Sequence, residues 1–357
     1  MSGSQSQARK RQPAAKLGRI DDFYIPADEE DWNELVQNGN LAKDTIHTIP
    51  ADRIASASEA SNAQYVMLRS YSPPMRRIDD FLGKCHQFGF TSEVRGRADN
   101  LLAASTEWLR YLQLLDTNDS VNDILDTSNR WPGAFSTVKR LQEQTMTVRG
   151  VHDRDVMQVA TEGTGQQPGG AGRPKPHRIT QLPQAEDEAT PNAALITLLQ
   201  SVSHFAQAKL EWIFNHVHFT CKLRQTEFSA LTDGGLRSKR TMDIFAIVEV
   251  KKRMRTEDTY PILMQEACEV AGWLMDSPVQ MAHFGGHFML ISQDRHEIFV
   301  TFVPFHQGYE NYLRNGSNTN TFLVMNTFGP FHTAYRNDME EFGRIILAAI
   351  LIVKHAA

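Results

Sequence analysis

From Met242 to Lys251 the chain reads Met-Asp-Ile-Phe-Ala-Ile-Val-Glu-Val-Lys, an apolar run closed by two charges. A strand that is apolar on both faces has to be covered on both faces. The run therefore predicts a central strand in a sheet held between helices. Its end is the anomaly. Side chains two residues apart on a strand share a face, so Glu249 and Lys251 stand together where the rest of the strand is bound for a core. Burying either charge alone costs on the order of several kcal/mol. Either the pair has a chemical purpose, or the strand ends there and both groups reach solvent beside Lys252 and Arg253.

A second carboxylate favours the first alternative. Asp233 lies in Thr232-Asp233-Gly234-Gly235, whose glycines predict a tight turn after a short strand. A hairpin from that turn into the Met242 strand brings Asp233 beside Glu249. Two carboxylates meeting at one point suit a hard divalent cation such as Mg²⁺. A neighbouring lysine can orient or help deprotonate an attacking water and steady a phosphate charge, as metal-assisted phosphodiester hydrolysis requires. Asp243 shares strand parity with Glu249, but six residues at ~3.3 Å rise place it roughly 20 Å away, too far to share an ion.

The flanking pattern supplies the rest of an α/β (α+β) core. Leu195, Leu198, Leu199, Val202, Phe205, Leu210, Ile213 and Phe214 predict one long amphipathic helix. Strands are expected at residues 218–223, 228–231, 288–292, 297–303 and 322–325, with helices from Pro261 to Leu274 and over residues 338–354. That order places a mixed sheet between helices. Upstream, residues 21–160 read as a mainly helical region, with the clearest stripe over 99–116 and another helix over 135–144. Residues 161–192 are rich in Pro and Gly and read as a disordered linker or long loop. Residues 1–20 read as a disordered basic tail, whose Arg9-Lys10-Arg11 suits a nuclear-import signal and a solubilising role equally.

Several function classes lack support. The formal net charge of −5 gives no global basic field. The three cysteines lack zinc spacing. The longest apolar run, residues 345–353, is about half what a bilayer needs. His216-Val217-His218 has no third ligand nearby, and a tight turn holds Ser292, Asp294 and His296 too close in sequence to form a hydrolase triad. Arg237, Lys239 and Arg240, with Lys252, Arg253 and Arg255, put basic charge on loops expected to flank the carboxylates, where phosphate contact is plausible.

These residues resemble the PD-(D/E)XK nuclease superfamily, in which an Asp, commonly followed by Gly, precedes a hydrophobic strand ending in Glu-x-Lys. Thr232-Asp233-Gly234 is similar to the first half, with Thr in place of Pro, and Glu249-Val250-Lys251 matches the second. Gln265, early in the next helix, resembles the glutamine of the phage-type exonuclease branch, although Glu269 stands where that branch usually has Tyr. More narrowly, Ile247 to Lys251, Met264-Gln265-Glu266-Ala267, Ile291 to Ile298 and Phe328-Gly329-Pro330-Phe331 resemble a group of fungal PD-(D/E)XK nuclease-like proteins, over residues 193–357. The resemblance implies a restriction-endonuclease-like core and Mg²⁺, or Mn²⁺, held by Asp233, Glu249 and Val250. It also implies cleavage of a nucleic acid, with DNA the expected substrate, by Asp233, Glu249, Lys251 and Gln265. Glu211 is the candidate for the acidic residue that the superfamily's first helix often contributes. The alternative is a catalytically inert descendant that binds nucleic acid or protein.

Overall fold

The computed structural model describes residues 19–124, 128–148, 151–152, 187–276 and 282–356. The basic tail up to residue 18 and most of the expected linker, residues 161–186, lie outside the described residues. Before the linker come helices α1 (Glu29–Asn38), α2 (Asn62–Met67), α3 (Ile78–Lys84), α4 (Ser92–Ala103), α5 (Thr106–Thr117) and α6 (Phe135–Met146). The same stretch holds a short strand β1 (Ser70–Tyr71) and a small hairpin of β2 (Thr147–Val148) and β3 (Val151–His152). After the linker come α7 (Ala189–Ser203), β4 (Leu210–Ile213), β5 (Val217–Lys222), β6 (Glu227–Thr232), β7 (Gly234–Ser238), β8 (Ile244–Lys251) and α8 (Thr259–Asp276). The chain closes with β9 (His287–Asp294), β10 (Glu297–Pro304), α9 (Gln307–Asn315), β11 (Leu323–Val324), β12 (Asn326–His332) and α10 (Arg336–Val353).

The expected central strand is β8. A six-stranded mixed sheet runs in the order β12-β10-β9-β8-β7-β4, with β8 and β9 parallel and the other neighbours antiparallel. The crossover joining the parallel pair is α8, as parallel neighbours require. Along β8, Ala246, Val248 and Val250 enter one core with Leu195, Leu199, Phe342 and Ile346, whereas Ile247 enters the other with Met264, Ala267 and Phe219. Glu249 and Lys251 have the parity of Ile247 and so lie on the α8 face of the sheet.

Both cores cross the linker. Trp108, Tyr111 and Phe135 pack in the first, and Trp32, Tyr65 and Met67 in the second. Strand β1 adds parallel to β11, and the Tyr312 hydroxyl accepts from Ile46 N at 3.0 Å. The division expected between residues 21–160 and 193–357 is therefore no boundary between cores: both stretches complete the same layers.

Two helical expectations need correction. The stripe over 99–116 belongs to two helices, because the Ser105 hydroxyl accepts from Trp108 N at 3.2 Å and caps a new helix there. The long helix expected through Phe214 stops at Ser203. A short 3₁₀ turn follows, then Gln207 at φ +46°, and the chain resumes as β4 with Leu210 and Trp212 buried in alternation. Those apolar residues fit a period of two as well as one of 3.6, and tertiary burial decides between them.

Candidate functional site

Asp233 sits where the chain leaves the β5–β6 hairpin, a separate two-stranded sheet, and enters β7 of the main sheet. Its N–H donates to Val248 O at 2.9 Å, and its Oδ2 accepts from Val250 N at 2.9 Å. The carboxylate thus caps the end of β8 where β7 no longer pairs with it. The two glycines that follow make no tight turn; they lie within β7 because neighbouring backbone crowds them. A Cβ at Gly234 would run into the Ile213 carbonyl, and one at Gly235 would come within 2.9 Å of Ala246 O.

Glu249 is 2% exposed. Its Oε1 accepts from Lys251 Nζ and, at 2.6 Å, from Gln265 Nε2, whereas its Oε2 is buried without a partner. Burial pushes its carboxyl up to about 8: Lys251 pulls it down by charge and hydrogen bond, and Asp233 opposes that pull. Asp233 is raised as well, by burial against the lowering effect of the Val250 N–H and Lys251. For Lys251, burial alone would lower the ammonium, yet the adjoining Glu249 carboxylate leaves it above its ordinary value.

Helix α8 completes the arrangement. Gln265 and Glu269 are four residues apart and so share a helix face. Gln265 Nε2 donates to Glu249 Oε1 and, at 2.8 Å, to Glu269 Oε1. Glu269 is fully buried; its Oε2 has no donor from another residue type, but its side chain hydrogen-bonds that of Glu249, and burial with the Glu249 charge raises its carboxyl. Val250 lies between the charged pair with its side chain in the opposite core. Only its main chain can therefore serve a metal, and its N–H is already committed to Asp233.

The site thus gathers Asp233, Glu249, Lys251 and Gln265, as expected from the sequence, but not Glu211. That residue is on strand β4, opposite Arg237, and accepts from Arg237 Nε at 3.1 Å. Arg237 in turn pairs with Ile244 at the start of β8, five residues and roughly 16 Å from Glu249. Besides α8, helix α7 reaches the site. Asn192 Nδ2 donates to Asp233 O at 3.2 Å, and the charge of Glu188, at the N-cap of α7, adds to the upward push on Asp233. His216 also adjoins the site, with Nδ1 at 3.0 Å from Thr232 O and 3.6 Å from Asp233 Oδ1. Neither Asn192 nor His216 carries a sequence signal that separates it from an ordinary surface polar residue. Glu269 could have been found from its i, i+4 relation to Gln265.

The basic loops divide. Arg237, Lys239 and Arg240 gather around the β7–β8 hairpin, at the far end of the sheet from Asp233. Arg255 turns inward: its Nε donates to Asp294 Oδ2 at 2.6 Å, its Nη2 to Ser292 Oγ at 2.9 Å, and its guanidinium also pairs with Glu266. Only Lys252 and Arg253 remain at the rim, the latter 3.6 Å from Asp258. Ser292 and Asp294 face Glu249 and Lys251 across the β8–β9 pairing and serve this buried ion cluster rather than a triad.

Among the described residues, no group of three or more His, Cys, Asp or Glu side chains forms a ready metal cage, and no helix is long and apolar enough to cross a membrane. No protein-family model, no curated protein and no solved structure matches the chain.

Proposed function

We propose that this chain is a metal-dependent nuclease of the PD-(D/E)XK type, with a restriction-endonuclease-like core, hydrolysing nucleic-acid phosphodiester bonds with DNA as the expected substrate. One observation carries the reading: Asp233 reaches the Glu249-Val250-Lys251 segment through its 2.9 Å bond from Val250 N, beside a Glu249 oxygen that is buried and unpartnered. A carboxylate oxygen in a water-poor place is answered by a proton, as the raised Glu249 carboxyl indicates, or by a cation that displaces it. The donor set is all oxygen and suits Mg²⁺ or Mn²⁺.

When bound, such a cation supplies Lewis-acid polarisation of a phosphoryl oxygen and an acidified water. Asp233 and Glu249 hold it, and Val250 contributes through its main chain. Gln265 fixes the rotamer of Glu249 through the 2.6 Å bond. Lys251, the partly open member of the pair, presents an ammonium to the scissile phosphate and orients the attacking water. Lys252 and Arg253 flank it for backbone contact. The Arg9-Lys10-Arg11 tail suits nuclear import.

Calorimetric titration of Mg²⁺ and Mn²⁺ into the wild type and Asp233→Ala tests the site, followed by cleavage assays on DNA and RNA. Glu249→Ala is expected to abolish cleavage in a folded protein. Lys251→Ala is expected to slow cleavage and spare metal binding. Retained cleavage by Glu249→Ala refutes the assignment. The alternative, an inert binding module, is favoured by one feature: donors already engage Glu249 Oε1, and among the described residues no ready cage surrounds it. A wild type that takes no cation at millimolar concentration, with or without nucleic acid, decides for that alternative.

A further inference from the structure

Two of the large apolar side chains left exposed among the described residues flank Asp233: Phe214 at 46% and Leu231 at 48%. Strand register puts them there. Ile213 pairs with Gly235 and its carbonyl packs against Gly234, so the next residue, Phe214, runs alongside Asp233-Gly234. Leu231 stands two residues before Asp233 on β6, directly opposite His218 on β5. Alternation buries Phe219, Cys221, Phe228 and Ala230, and turns His218, Lys222, Glu227, Ser229 and Leu231 outward. The outward face of this hairpin is thus charged at its turn, by Lys222 and Glu227, and apolar only at the end that adjoins Asp233. His216 joins it there. Its exposed ring is anchored by Nδ1, which donates to Thr232 O at 3.0 Å.

Charge decides what such a surface can hold. A protein that grips a duplex by its backbone matches each neutralised phosphate with a Lys or Arg, and so needs many of them. Here the formal net charge is −5, and Arg237, Lys239 and Arg240 lie at the far end of the sheet. Arg255 is taken by Glu266 and Asp294, which leaves Lys252 and Arg253 at the rim. Phe214 and Leu231 gain nothing from a phosphate backbone. They gain from the flat apolar face of a base, which a duplex hides in its stack and a single strand exposes.

We infer that Phe214, His216 and Leu231 form a base-stacking platform beside Asp233, and that the substrate held there is single-stranded. The inference rests on the nuclease reading for the kind of ligand. It adds the substrate class, an unpaired strand with one base on Phe214 and a phosphate at Lys251.

The test is fluorescence anisotropy of labelled DNA oligonucleotides, single-stranded and duplex, on the full chain in EDTA, so that binding is read without cleavage. The wild type is expected to prefer the single strand, and Phe214→Ala to lose about tenfold in affinity for it, the worth of one stacked base. Phe214→Trp keeps an aromatic face and should keep wild-type affinity. Phe214→Leu keeps apolar area without that face and should bind as weakly as Phe214→Ala. Met242→Ala removes an equally exposed side chain at the β7–β8 hairpin, far from Asp233, and should change nothing. Duplex bound as tightly as single strand, wild-type affinity in Phe214→Leu, or a wild type that binds no single strand overturns the inference. A dimer in sedimentation that Phe214→Ala dissociates, in a chain that binds no strand, overturns it in favour of a second copy of the chain. Restoring Mg²⁺ separates the inference from the reading it rests on. A chain that holds single strand through Phe214 but cuts nothing keeps the platform and loses the nuclease; one that cuts duplex without preferring single strand keeps the nuclease and loses the platform.

Discussion

Replacing Arg255 with alanine removes the cation between two fully buried carboxylates, Glu266 and Asp294, and the cost can be worked from Asp294 alone. In the wild type, burial raises the Asp294 carboxyl to about 6, with Arg255 pulling it down, Glu266 pushing it up and Lys251 helping to lower it. The folded value lies above the ordinary 3.8. Asp294 therefore contributes stability that is fully present below 3.8, falls as pH rises to about 6, and levels off above that. Without Arg255 the folded value climbs further, so stability keeps falling above pH 6 by about 1.4 kcal/mol per pH unit. Near pH 8 the deficit reaches about 3 kcal/mol, within the ~3–5 kcal/mol known for removing one partner of a buried pair. An unpaired Glu266 adds to it. At roughly 2–4 °C per kcal/mol, the melting temperature should drop by about 6–12 °C near pH 8 and by much less near pH 6. Calorimetric or circular-dichroism melts at the two pH values read this directly, and Asp294→Asn in the Arg255→Ala background should recover part of the loss near pH 8. An Arg255→Ala protein that melts like the wild type near pH 8 but binds nucleic acid more weakly would refute the buried-cluster account and return Arg255 to the phosphate rim.

Burial lowers the His296 imidazole to about 3, with the His332 and Arg295 charges acting in the same direction. Its folded value lies below the unfolded 6.5, so it contributes stability that is present above 6.5 and lost as pH falls toward 3. Acidification from neutrality to near pH 5 should cost about 2 kcal/mol from this group, read as a wild-type loss that His296→Gln lacks; equal losses in the two proteins would contradict it. Gly343→Ala should gain about 1 kcal/mol of helix propensity and lose more, about 1–3 kcal/mol, because its Cβ would stand 2.6 Å from the Trp108 ring. A net stabilisation would show that the α5–α10 packing is looser than described, and Trp108→Phe should relieve the strain. Deleting residues 1–20 should leave in vitro activity intact and reduce nuclear accumulation in cells; unchanged distribution would remove the import role.

The features visible in the sequence are those in which a local pattern coincides with burial. The run from Ile244 to Val250 admits only a doubly covered strand, and Glu249 and Lys251 must share one of its faces. Asp233 is legible because an acid followed by two glycines is unusual, although crowding by the Ile213 and Ala246 carbonyls, and not a turn, demands the glycines. Long-range pairing is not legible. Nothing local distinguishes Leu210 and Trp212 on a strand from the same residues on a continued helix, so the sequence points Glu211 to the site, whereas its strand carries it to the opposite end of β8.

The same limit explains the basic residues. Arg255 follows Lys252 and Arg253 in a run that reads as a solvated rim, and only the meeting of Ser292, Asp294 and Glu266 from two other elements turns its guanidinium inward. The α8 face thus carries two adjoining polar clusters, each with more buried carboxylates than cations. Around Arg255, one guanidinium answers Glu266 and one oxygen of Asp294, whose other oxygen has no partner. Around Glu249, Lys251 answers part of the negative charge, and burial raises the hydrogen-bonded Glu249 and Glu269 carboxyls, so a proton answers the rest. In both clusters the protein meets an excess of buried carboxylates with one basic side chain and with carboxyls raised by burial.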